Sequence, residues 1–370
     1  MGTDASIYRK HDSFIGMRHH RPLADVLTRL RRVRDRLAEA GVTPAQAAII
    51  RAACDEALGD RGGRVPAAEG AFSTVGSMTN RPAAPEAKPF SLQSYTIEEL
   101  SRLDEAQWPR YLWYRYRYEI FPQRRLLDEF PPCLQIEPTS VCNYRCVFCF
   151  QTDPVLTDGR HGHMGVMPLD LFKRVVDQAE GRCEAIALAS RGEPLLCPDL
   201  EAMLAYARGK FLALKINTNA SRMTEAHCHA ILQADVNTVV FSVDAASEPA
   251  YSRLRVGGSL ERVQKNITRF QEIRAKHYPR CRTLTRISGV KVPGTPGIEE
   301  MEAAWGDVVD QVAFVTYNPW ENTYERPLNE IWEEVDDVIS PRLERVGGVG
   351  AVWRFGGQKR EVHVVLDPRA

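Results

Sequence analysis

The sequence has no long hydrophobic run, no surplus of charge and no regular framework of cysteines. No apolar stretch approaches the ~18 residues of a membrane-spanning helix, and the polar N-terminal residues do not resemble a charged segment followed by an apolar core. Neither a span nor a secretory leader is expected, which points to the cytoplasm. Lysine plus arginine and aspartate plus glutamate stand at 48 each, so no global field exists to hold nucleic acid or an anionic membrane. A small molecule or a peptide is the expected partner. Nine cysteines in 370 residues, odd in number and irregularly spaced, argue against a secreted disulfide scaffold and fit a reducing compartment.

Against that background, three cysteines fall within eight residues, Cys142, Cys146 and Cys149, in Ile136-Glu-Pro-Thr-Ser-Val-Cys-Asn-Tyr-Arg-Cys-Val-Phe-Cys-Phe150. Thiolates so close together need a metal to neutralise them, so the triplet argues for shared ligation. Structural zinc takes four ligands from paired short gaps, and no partner Cys-x-x-Cys or His-x-x-x-His follows at the usual distance. A cubane of four irons held by three thiolates would keep one iron open, and open coordination positions are where metal chemistry happens.

In chain order, Leu23, Val26, Leu27, Leu30, Val33 and Leu37 recur at helical spacing between Pro22 and Ala40, and Thr43-Pro44 opens a second helix running to Gly59. Residues 1 to about 20 lack periodicity. Residues 1–59 therefore read as a helical N-terminal extension, and 60–90, rich in Gly, Ala, Pro and Ser, as a linker. Within the lead-in 91–130, Thr96 and Glu99 suggest a capping box. From Trp108 to Phe121 aromatics interleave with arginines, which reads as an element lying across a domain, its arginine stems covering rings. After Pro132, apolar strands near 133–137, 185–189, 212–216, 238–243, 285–292 and 311–317 alternate with helices at 169–179, 199–207, 225–232, 260–276 and 298–305. Six such repeats predict an α/β fold with a parallel sheet curled into a full or partial barrel, its site at the C-terminal strand edge.

The cysteine spacing, at the end of the first barrel strand, resembles the signature of the radical S-adenosylmethionine (radical SAM) enzymes. That resemblance covers about residues 131–322 and implies a partial (β/α)6 barrel, a 4Fe-4S cluster on Cys142, Cys146 and Cys149, and S-adenosylmethionine on the fourth iron. It further implies an electron donor such as flavodoxin or ferredoxin. Phe148 takes the place of the family aromatic near the adenine. Gly192, Glu193 and Pro194 match its Gly-Gly-Glu-Pro motif, which meets the amino group of S-adenosylmethionine, with Arg191 in place of the first glycine. Ser242 and Asp244, ending strand four, take the ribose position, and residues 286–290 the adenine flank. Arg255 is a candidate for the methionine carboxylate.

The activity so implied is reductive cleavage of S-adenosylmethionine to a 5'-deoxyadenosyl radical that takes hydrogen from a substrate, with a non-catalytic metal-binding scaffold as the alternative. Asn217, Thr218 and Asn219 are further hydrogen-bonding candidates at the barrel mouth. His161 and His163 are candidate acid or base groups in the loop after the cysteines. Glu193, on a different loop from the cysteines, is expected to serve cofactor binding alone. Gly347-Gly348-Val349-Gly350 reads as a turn. The barrel resembles the SPASM-type subgroup without its cysteine-rich C-terminal module, so 323–370 is expected to be a tail and the chain to carry one cluster.

Overall fold

The computed structural model describes residues 23–59, 94–124, 126–152, 157–162, 164–291 and 297–316. It also describes short strands at 7–10, 13–17, 349–355 and 361–366, together with Phe90 and Leu92. The chain divides into two compact units, Met1–Thr316 and Tyr317–Ala370.

In the first unit two strands, β1 (Ile7–Lys10) and β2 (Ser13–Met17), precede four helices, α1 (Leu23–Asp35), α2 (Pro44–Leu58), α3 (Ser94–Ser101) and α4 (Trp108–Arg124). Thr43 caps α2 as expected: its hydroxyl accepts from Gln46 N while Gln46 reaches back to Thr43 N, and Gly59 ends the helix in the left-handed region. Two expectations change here. Thr96 is not a cap, since α3 already begins at Ser94. Residues 7–17, without legible periodicity, form a hairpin that extends the sheet edge.

The barrel follows as β3 (Cys133–Ile136), the two-residue β4 (Arg145–Cys146), α5 (Leu169–Ala179), β5 (Ala185–Leu188), α6 (Leu200–Ala207), β6 (Ala213–Thr218) and α7 (Glu225–Gln233). It continues through β7 (Thr238–Ser242), α8 (Glu248–Leu254), β8 (Arg255–Val256), α9 (Leu260–His277), β9 (Leu284–Lys291), α10 (Ile298–Trp305) and β10 (Gln311–Thr316). β3, β5, β6, β7, β9 and β10 lie side by side in that order and pair in parallel, while β2 and β1 add an antiparallel edge. This is the partial (β/α)6 barrel.

Parallel strands buried on both faces divide their side chains between two cores. The outward set, including Ile186, Leu188, Ile216, Val239, Phe241 and Ile287, packs under the helices against residues such as Phe172, Val176, Val263, Phe270 and Trp305. At the opposite end from the cysteine loop, α1, α2, α3 and α4 share a core with the first residues of the strands. Leu30, Leu100, Trp108, Tyr111 and Leu112 cluster with Ala185 and Leu212. At about 1.5–3 kcal/mol per large apolar side chain buried, this layer contributes substantially to stability. α4 is the helix expected across a domain, with Arg115 over the rings of Tyr114 and Tyr118 and Arg117 ion-paired with Glu184.

In the second unit, the described residues form an antiparallel pair, β11 (Val349–Phe355) and β12 (Glu361–Leu366), with an irregularity between Val349 and Ala351. Val349 and Gly350 therefore belong to a strand rather than a turn. Residues 60–89, Gly347, Gly348 and the stretch 317–348 lie outside the described residues.

Candidate active site

The loop leaving β3 carries all three clustered cysteines, and hydrogen bonds hold it from both sides. Cys149 N–H donates to Cys146 O at 2.9 Å, giving a tight turn between the second and third thiols. Cys146 pairs with Arg255 in the short β4–β8 ladder, and Val147 N–H donates to Leu254 O at 3.1 Å. Gln151, buried in the next turn, donates through Nε2 to Ser140 O at 2.8 Å and to Arg191 O at 2.9 Å. Cys146 is buried, while Cys142 and Cys149 are half-buried.

The three thiols feel one another. Burial pushes all three up, Cys146 to about 11, where Cys149 and Cys142 add to the rise and Arg255 opposes it. Thiols that resist ionisation beside like neighbours need a cation to become thiolates. Among the described residues no three His, Cys, Asp or Glu side chains converge as a single-ion site requires. A cubane differs, since each thiolate takes its own iron and the sulfurs need not meet at one point.

The Arg191–Pro194 loop follows β5 and packs directly on the cysteine loop. The departure at Arg191 has a structural reason: its backbone N–H donates to Glu137 Oε2 at 2.7 Å and its guanidinium grips both carboxylate oxygens at 3.3 and 3.1 Å. Gly192 is required for a close approach, but to protein: a Cβ there would sit 1.8 Å from Thr139 O. Glu193 is buried at the centre of a network. Its carboxylate accepts from Leu195 N at 3.1 Å, Thr218 Oγ1 at 2.5 Å and Asn219 N at 2.7 Å, while burial pushes its pKa up. Pro194 opens the short turn Pro194–Leu196. Glu193 stands on a different loop from the cysteines, as expected, but the two loops are joined. Glu193 N–H donates to Val141 O at 2.9 Å, one residue before Cys142.

The end of β6 completes this cross-tie. Asn219 Nδ2 donates to Asn143 Oδ1 at 3.1 Å, and Asn143 Nδ2 donates to Ser221 Oγ at 2.9 Å. Thr218 and Asn219 are thus committed to the scaffold. Asn217 is not: its Oδ1 is buried without a hydrogen-bond partner on the cavity wall, the orphaned atom expected where a ligand is to be met.

Asp244 and Arg255 form a buried pair. Asp244 Oδ1 accepts from Val290 N at 2.6 Å, and its other oxygen accepts from Arg255 Nε. Arg255 also reaches Cys146 Sγ through Nη1 at 3.5 Å and lies 5.3 Å over the ring of Phe148. Burial works against its charge, yet Asp244 and Cys146 outweigh that and hold it protonated. These contacts make Arg255 an inner buttress of the cysteine loop, and Asp244 its anchor. Sequence reasoning missed Gln151, Asn143 and the β4–β8 ladder, because neither a lone amide nor a two-residue strand has a pattern to read.

A cavity of about 540 Å³ fills the inside of the barrel. Arg255 and Ser242 line it near the cysteine loop, Asn217, Arg286 and Lys215 line it further down, and Glu99 of α3 with Tyr111 of α4 line its floor. The residues present fit a cluster and an associated polar ligand. Three thiols on one loop supply the donors, and the cavity wall carries the orphaned amide oxygen of Asn217. His161 ends a short turn, Gly159–His161, and His163 lies outside the described residues.

Residues 136–291 match the model of the radical SAM superfamily. The matched segment, which holds the cysteine loop, is similar to members of that superfamily. It is 28% identical over 152 residues to the tungsten-containing aldehyde ferredoxin oxidoreductase cofactor-modifying protein of Pyrococcus furiosus, covering 40% of this chain and 41% of that protein. It is 27% identical over 146 residues to the mycofactocin maturase MftC of Mycobacterium tuberculosis, covering 38% and 36%. A probable GTP 3',8-cyclase of Methanococcus maripaludis is 27% identical over 138 residues, covering 36% and 44%. The chain thus spans about two fifths of the length of these relatives. Among solved structures, Streptococcus suis SuiB bound to the precursor peptide SuiA aligns with a TM-score of 0.42 at 18% identity, over 65% of this chain and 52% of that one. Among the described residues no helix is long and apolar enough to cross a membrane.

Proposed function

We propose that this chain is a radical SAM enzyme in which Cys142, Cys146 and Cys149 hold the cluster. The observation that carries the reading is the placement of the three thiols on one loop pinned by hydrogen bonds and joined through Arg255 and Cys146 to the interior cavity. When bound, the cluster and S-adenosylmethionine supply a 5'-deoxyadenosyl radical that takes a hydrogen atom from the substrate. The chain's own part is orientation and exclusion of water. Arg255, kept cationic by Asp244, favours the thiolate form of Cys146. Phe148 and Arg255 shield the loop's inner side, and Asn217 and Ser242 offer polar atoms to a ligand. Glu193 and Gly192 position the second loop against the first. The substrate is a small molecule or a peptide, in keeping with relatives named as a maturase and a cyclase, and the reducing electron comes from a flavodoxin or ferredoxin.

The test is anaerobic reconstitution of the full chain, followed by iron analysis and a search for 5'-deoxyadenosine after reduction. The parent should bind about four irons and release 5'-deoxyadenosine, and Cys142→Ala, Cys146→Ala and Cys149→Ala should each lose the iron-sulfur absorption. Normal iron in all three variants would sink the ligand assignment. Iron without 5'-deoxyadenosine would favour the scaffold alternative.

A further inference from the structure

The interior of the barrel carries a cation that neither the cysteine loop nor its supports use. On β6 the residues alternate: Leu214, Ile216 and Thr218 are buried, while Ala213, Lys215 and Asn217 are half-buried and line the cavity. A lysine in the middle of a parallel strand buried on both faces is anomalous, because such strands are ordinarily apolar throughout. Desolvating an ammonium is costly unless it has a partner.

The other cations lining this cavity have partners. Arg102 pairs with Glu98 at 3.0 Å, Arg282 with Asp104 at 3.0 Å, Arg255 with Asp244 and Arg115 with Glu119. Arg286 donates to Gln311 Oε1 at 2.6 Å and lies 3.9 Å from Glu99. Glu99 is the acid on the wall, and it also accepts the hydroxyl of Tyr111. Lys215 differs, for among the described residues none accepts a hydrogen bond from its ammonium. The groups that act on it are Arg286 from β9, Glu99 from α3, Cys133 from β3 and Arg115 from α4. Two of these are cations and one is a carboxylate already engaged.

The geometry points to Lys215 as the subsite for an anionic group, a carboxylate or a phosphate, at the inner end of the substrate cavity. Strand register gives the depth of that subsite. Lys215 is level with Thr238 on β7, and Ser242 stands four residues further along the same strand. At about 3.3 Å per residue the floor subsite lies about 13 Å from the mouth. An elongated substrate with its anion at the floor would thus present carbons near the mouth, where the proposed hydrogen abstraction takes place. Substrate class in this sense rests on that proposed reaction, but the binding subsite does not.

The ammonium is also tuned for this work. Burial, then the nearby Arg286, brings Lys215 down to about 8, so at neutral pH it is still largely charged and lacks only a counter-ion. An anion beside it would raise that value, and binding should weaken as pH rises above about 8.

The experiment uses the full chain without cluster, so its outcome is independent of the 5'-deoxyadenosine assay. Lys215 acetylation by a soluble acylating reagent is followed by peptide mass spectrometry, with inorganic phosphate or malonate present or absent. One of the two anions should slow modification of Lys215 by roughly tenfold while leaving exposed lysines unchanged, and the responding arm tells phosphate from carboxylate. Calorimetry with that anion should show Lys215→Met weakening binding by roughly 10- to 100-fold, the loss expected when a charged hydrogen-bond donor goes, with Lys215→Arg largely restoring it. No protection by either anion in the parent chain would overturn the proposal, as would equal binding by folded Lys215→Met. The protection arm needs no variant, so a misfolded mutant does not rescue the idea.

Discussion

Gly192 shows how a motif glycine can be needed for a reason other than its ligand. The sequence suggests room for a cofactor, yet the backbone it admits is that of Thr139 and Val141. Gly192→Ala should therefore push the two loops apart. Expected is a loss of about 1–3 kcal/mol in urea unfolding, the usual cost of overpacking, together with poorer iron uptake, whereas unchanged stability would show that the loops are not in contact. The neighbouring residues divide according to what a single sequence can display. The cysteines stand out in the sequence because three thiols crowded onto one short loop repel as thiolates unless they share a metal. Arg191 was legible as a departure but not as a solution, since its partner Glu137 is 54 positions away in the chain. Lys215 left a readable trace, a charge at an inward position of an apolar strand, that strand assignment alone passes over.

Among elements, the helices and parallel strands of the barrel could be read closely from periodicity, because each must bury one face. The elements that escaped are those whose existence depends on a partner: the β1–β2 hairpin on the β10 edge, and the two-residue β4 and β8. Another junction holds the residue after α3, α9, β9 and the residue before β10 together through Asp310. Arg274 Nη1 reaches its Oδ2 at 2.8 Å, Arg102 lies 3.4 Å from Oδ1, and Thr285 N–H donates at 2.8 Å. Burial alone would raise this carboxyl, but the Arg274 hydrogen bond and the charges of Arg102 and Arg274 bring it to about 2. A folded value below the unfolded one means that the stabilisation is complete above about pH 4 and is lost as pH falls towards 2. Asp310→Asn should cost about 2–4 kcal/mol near neutrality, a deficit that shrinks on acidification. Urea melts of both proteins at two pH values check it, and a deficit that stays constant with pH would refute the charge as its source.

At the scale of the whole first unit, the N-terminal helices and the barrel share a core at one end, while the functional loops are tied to one another at the other. Gln151, Asn143, Glu193 and Asp244 join the ends of β3, β5, β6, β7 and β9 through contacts made entirely within the polypeptide. The unit therefore need not wait for iron in order to fold, unlike small zinc domains in which binding and folding are one event. Removing iron from the reconstituted protein should lower the unfolding midpoint, as loss of any native-state ligand does, but leave the transition cooperative and its denaturant slope unchanged. A fall in that slope would reveal a loop region that collapses on emptying. Folding and cluster delivery are then separable in time, and a chain kept without iron after synthesis should take up its cluster when iron and sulfide are added later.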